Sequence, residues 1–122
     1  MGAKYSQPPI TGMLSRGKVR TALFLSSGLG LRVAYTNLRS HRKILVVDGQ
    51  VGFTGGMNIR ASFTTRPGRE TSRDTHFQVE GPVVAQLLAS FAHDWAFTTR
   101  ERLEGELWRP TPRTAGTVPA RC

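Results

Sequence analysis

Apolar positions in this chain fall into short blocks set off by glycine, proline and polar residues. From Ser15 to about Ser26, "SRGKVRTALFLS", Val19, Leu23 and Phe24 recur at helical spacing. Ser15 is placed to cap the start, with Gly28 and Gly30 just past the end, so the spacing predicts a helix there. The stretch 31–36, "LRVAYT", alternates as a strand does. Two β-rich runs then flank Asp48-Gly49 within "HRKILVVDGQVGFTGGMNI", and Asp-Gly between such runs is a strong hairpin signal. Residues 60–73 are polar around Pro67-Gly68 and predict an exposed loop. "THFQVEG", 75–81, alternates again and predicts a further strand.

Gly81 and Pro82 open a second helix, since proline loses nothing in a first turn where its N–H would have no partner. Val84, Leu87, Leu88, Phe91 and Trp95 follow at spacings of three and four and form one apolar stripe. The pattern is that of an α/β domain over residues 15–107. An arm of residues 1–14 precedes it. Residues 108–122, with Pro110, Pro112, Gly116 and Pro119, predict a disordered tail.

Composition narrows the partners. At 122 residues with 39% hydrophobic content, the chain supports one core. Its formal charge is +9, almost all of it from arginine. The planar guanidinium fork suits phosphate oxygens, so phospholipid headgroups and nucleic acid are both expected partners. Cys122 is the single cysteine, which excludes a disulfide framework or a cysteine-based zinc site within the chain. No run of 18 apolar residues is present, and a cytoplasmic location, peripheral at the inner membrane, is expected.

Chemistry concentrates at the hairpin. Side chains on a strand alternate faces, so His41 and Lys43 share one face and Arg42 takes the other. A two-residue turn at Asp48-Gly49 would pair Lys43 with Thr54 and His41 with Gly56. Gly55 and Gly56 would then lie opposite the two bases. Glycine weakens a strand, so its presence there suggests a close approach to the backbone, and a phosphate-sized space is expected above it. Asn58 shares the parity of Gly56 and adds an amide donor. Asp48 has the opposite parity and lies at the turn, which favours a scaffold role.

His-x-Lys, four residues, Asp, six residues, Gly-Gly-x-Asn: this spacing in "HRKILVVDGQVGFTGGMN" closely resembles the signature of the phospholipase D superfamily, including its cardiolipin synthase-like branch. The resemblance continues through "SRDTHFQVEGPVVAQLLASFAHDW", with Arg-Asp-x-His, Glu-Gly-Pro and Asp-Trp in place, and covers roughly residues 20–97. It implies a half domain with a mixed β-sheet and flanking helices. It also implies a phosphodiesterase or phosphatidyltransferase in which His41 attacks phosphorus and forms a phosphohistidine. Lys43 and Asn58 then stabilise the non-bridging oxygens, and Asp48 completes the motif. Gly56 stands where relatives often have serine, so one hydroxyl contact is absent. Neither metal nor cofactor is implied.

The family site uses two copies of the motif, and this chain carries one. His76 and His93 lack a lysine two residues on. His76 is expected to line or pack near the site, and His93 to be a solvated helix residue. The second copy is expected from a homodimer or from a missing half, the chain being a fragment. An inactive, basic anion-binding module is the alternative of another class.

Overall fold

The computed structural model describes residues 10–24, 41–59, 61–64, 67–68, 70–111 and 113–122. Helix α1 spans Ile10–Arg16, strand β1 Ile44–Val47, strand β2 Val51–Gly55, strand β3 His76–Glu80 and helix α2 Val83–Thr99. Short 3-10 turns occupy Ala61–Phe63 and Glu106–Trp108.

The three strands form one antiparallel sheet in the order β1-β2-β3. The expected strand at 31–36, which would have made the sheet mixed, lies outside the described residues. The hairpin forms where Asp48-Gly49 placed it, but in a different register. Asp48 and Gly49 both have positive φ, 52° and 65°, and the Gln50 N–H donates to the Val47 carbonyl at 3.0 Å. Gln50 is then left out of the ladder, which begins at Val47 opposite Val51 and runs to Ile44 opposite Thr54. One extra residue on the second strand therefore overturns the expected pairs of Lys43 with Thr54 and His41 with Gly56.

Helix α1 also corrects the reading. It runs through what was expected to be an arm and stops before the predicted helix has properly begun. Lys18 takes a left-handed φ of 57°, its N–H bonds the Ser15 carbonyl, and the Val19 N–H reaches back to Leu14. This pair of bonds closes the helix at Gly17, so the periodicity of Val19, Leu23 and Phe24 is not expressed as a helix over residues 17–24.

The second helix agrees with its pattern. Among the described residues, Val84, Leu87 and Leu88 are the buried hydrophobic ones, at 0%, 2% and 7% exposure. Leu87 and Val84 pack on Gly52, where an added Cβ would stand 2.7 Å from Leu87 Cδ1. The absent side chain is what lets α2 lie this close to the sheet. Trp95 donates its indole N–H to Glu101 at 3.0 Å, Arg20 pairs with the same carboxylate, and its guanidinium stacks on the Trp95 ring. Phe91 stacks on Trp108 with centroids 6.0 Å apart, folding the chain back after the helix.

The C-terminal residues lack helix or strand beyond Trp108, but they make contacts a disordered tail would not. Pro110 packs over Gly49, Arg113 and Ala115 pass close to Gly81, and the Cys122 N–H donates to Gln86 at 2.8 Å. Among the described residues no helix is long and apolar enough to cross a membrane.

Candidate functional site

Two contacts set the direction of "HRK" as it enters β1. On the helix side, Arg42 Nη1 donates to both oxygens of Asp94 on α2, at 3.1 and 3.0 Å. Arg42 and Ile44 line one cavity against α2, so the alternation of β1 extends into the residues before it and leaves Lys43 on the other side, where it reaches His41. Lys43 Nζ lies 2.7 Å from His41 Nδ1 and 2.7 Å from the His41 carbonyl oxygen. An ammonium has no lone pair and must donate. Nδ1 of His41 is therefore the acceptor, and the proton of the neutral ring sits on Nε2. His41 is exposed and Lys43 half-buried, so the pair is open to an incoming anion.

Asp48 stands at the other end of the strand. Seven residues of roughly 3.3 Å each separate it from His41, about 20 Å in all, so the two cannot touch one phosphate. Its left-handed backbone in the turn gives it the scaffold position. The motif residues thus divide into a chemical pair and a turn residue.

The glycines close the distance to β3 and do not leave a vacancy. Gly55 has a φ of 156° and lies opposite His76, and a Cβ there would run into the Thr75 carbonyl and the His76 ring. A Cβ on Gly56 would collide with the carboxylate of Asp74. The close approach inferred from sequence is real, but the approaching groups belong to β3. The expected phosphate-sized space above Gly55 and Gly56 is filled by Asp74 and His76. Asp74 was legible only as part of Arg-Asp-x-His. The usable signal was the match between two bare glycines and the polar start of the next strand.

Beyond Gly55 the ladder ends, so Asn58 lies past β2 and strand parity no longer aims it. It is half-buried between exposed Met57 and fully exposed Ile59. His93 is on α2 with its side chain 83% exposed and Nδ1 3.9 Å from Asp94, as expected of a solvated helix residue. At the open end of the hairpin Asp74 and His76 lie against Gly55-Gly56, and His41 and Lys43 contact each other just before β1.

Comparison with known proteins points the same way. The cardiolipin synthase A of Pseudomonas syringae pv. syringae is 46% identical over 89 residues, 72% of this chain and 19% of that protein. A Pseudomonas putida cardiolipin synthase A is 42% identical over 100 residues, 81% and 20%. One from Pseudomonas fluorescens is 53% identical over 66 residues, 53% and 14%. The chain spans about a fifth or less of the length of these curated relatives. No family model matches the chain. No solved structure matches it either.

Proposed function

We propose that this chain, a homologue of part of the cardiolipin synthase A proteins and so a member of the phospholipase D superfamily, carries one motif of a phosphatidyl-transfer site. The observation that carries the reading is the 2.7 Å contact between Lys43 Nζ and His41 Nδ1. It supports the reading because it brings an imidazole and an ammonium together at the exposed end of a hairpin.

The chemistry is a double displacement. A nitrogen of neutral His41 attacks the phosphorus of a phosphodiester, the P–N bond forms, and the first alcohol leaves with a proton from a general acid. An acceptor alcohol then gives its proton to that group, now a base, and its oxygen bonds to phosphorus as the P–N bond breaks and His41 leaves. In the resting arrangement Lys43 occupies the Nδ1 lone pair and Nε2 carries the proton, so neither nitrogen is free. An arriving phosphate offers Lys43 a better acceptor. As the ammonium turns to a non-bridging oxygen, the ring is released to shift its proton and attack. Lys43 then stabilises the charge that develops on phosphorus, with Asn58 as a second donor. The Asp74 carboxylate repels the anion, so the phosphate is held on the Lys43 side of the glycines. Asp48 keeps the turn.

The general acid of a complete site comes from a second motif copy, supplied by a homodimer or by the rest of a longer protein. Leu45 and Val47, on the same sheet face as Lys43, are 58% and 43% exposed, apolar surface that such a second half would cover. Sedimentation separates the two sources. A dimer with turnover supports self-completion, and a strict monomer assigns the second copy to another half.

The substrate is read as an anionic phospholipid at a membrane surface, as the relatives' names suggest. The +9 charge also suits nucleic acid, making a nuclease the second reading. Release of headgroup from phosphatidylglycerol vesicles and cleavage of DNA, each compared with His41→Ala, distinguishes them. Equal turnover by the variant on both substrates contradicts the whole proposal.

A further inference from the structure

A second imidazole lies across β2 from Lys43. The β2–β3 ladder sets His76 opposite Gly55. Its Nδ1 is buried and has no hydrogen-bond partner among the described residues. A Cβ at Gly55 would stand 2.8 Å from that nitrogen, so the ring leans over the bare backbone of the middle strand. One step beyond the Ile44–Thr54 pair along both strands are Lys43 and Gly55. Glycine at 55 thus lets the His76 ring itself lie over β2, between β3 and the Lys43 side of the site.

The burial also selects a tautomer. A proton on Nδ1 would be a buried N–H with no acceptor, which folded proteins tolerate less well than a bare acceptor. In the neutral ring the proton therefore belongs on Nε2. This leaves His76 as a hydrogen-bond donor with a fixed orientation, two residues from the Asp74 carboxylate.

We infer that His76 is a further phosphate-binding residue of this site, donating from Nε2–H to a non-bridging oxygen of the phosphoryl group that Lys43 holds. The inference rests on the phosphodiester reading above. It adds a substrate-holding group from β3 that the His-x-Lys motif does not include, and it gives the unpartnered ring a use.

The test is a titration of the full chain with inorganic phosphate, followed by long-range proton–nitrogen correlation spectra of its three imidazoles, with chloride as the ionic-strength control. The expected result is that His41 and His76 move on one saturation curve while His93 stays in place. Before phosphate is added, His76 shows the Nε2–H tautomer. His76→Gln weakens phosphate binding roughly fivefold, the worth of one hydrogen bond. Movement of His41 with His76 unmoved overturns the inference and leaves the phosphodiester reading standing, as does an Nδ1–H tautomer at His76. No movement of either overturns both. The wild-type titration decides the matter even if His76→Gln fails to fold.

Discussion

Arg42 holds both carboxylate oxygens of Asp94 through a single nitrogen, and it does so from between His41 and Lys43. The residue separating the two chemical groups is thus the one tied to α2. Side-chain exposures of 57% and 27% make this a partly solvated pair, so its effect on stability is small, about 0.2–1 kcal/mol in a double-mutant cycle with Arg42→Ala and Asp94→Asn. Its effect on the site is larger in kind. Releasing Arg42 lets the preceding residues rotate, so both variants are expected to weaken phosphate binding measured by calorimetry, though neither removes a phosphate ligand. Unchanged affinity in both would show that the contact does not orient the pair.

The glycines of β2 give a graded test of close packing. Gly52→Ala drives a methyl into Leu87 and Val79, and Gly56→Ala drives one into the Asp74 carboxylate. Each is expected to cost about 1–3 kcal/mol in urea denaturation. Gly12, inside α1 with nothing within 4 Å of an added Cβ, is the control. There alanine stabilises by roughly 0.5–1 kcal/mol. If Gly52→Ala were as harmless as Gly12→Ala, α2 would not lie this close to the middle strand.

Glu101 supplies a pH dependence. The indole N–H of Trp95, and next the Arg20 guanidinium, hold its carboxyl below the ordinary value of 4.5, against a smaller opposing effect of burial. A carboxyl depressed in the folded state adds stability that is present above the ordinary value and lost as pH falls from there through the depressed one. Acid therefore weakens the tie between the segment after α1 and the end of α2. Denaturation followed by tryptophan fluorescence should show wild type losing stability across this window faster than Glu101→Gln. Parallel curves would contradict the assignment.

Lys43 is expected to act on the reacting phosphoryl group more than on the fold. Lys43→Met keeps the stem and removes the donor, and it should lower turnover by about 10²–10³-fold, the loss typical of one transition-state donor, with the denaturation midpoint little changed. A drop in stability that matches the drop in activity would assign Lys43 to structure instead.

How far the sequence carried can be read residue by residue. The α2 stripe was legible because Val84, Leu87 and Leu88 meet a sheet at a period no other structure shares. The separation of His41 and Lys43 from Arg42 was legible because strand alternation is a local rule. The hairpin register was not, since whether Gln50 joins the ladder depends on the backbone angles of Asp48 and Gly49 and not on their identities alone. The end of α1 was missed because Lys18, an unremarkable residue, takes a left-handed conformation. Asp74 and His76 were hidden for a different reason. Their meeting with Gly55-Gly56 is a contact across some twenty positions of sequence, and a glycine shows that something comes close without showing what.

The central claim is that His41 is a nucleophile towards phosphorus, and an activated substrate tests it without the second motif. Bis(p-nitrophenyl) phosphate expels p-nitrophenolate, an anion stable enough to leave without a general acid. The chain alone should then release a burst of one equivalent of p-nitrophenolate and retain an aryl phosphate on His41, found by peptide mass mapping after an alkaline quench. Both should vanish in His41→Asn. No burst and no adduct, or an adduct that persists in His41→Asn, would contradict the account.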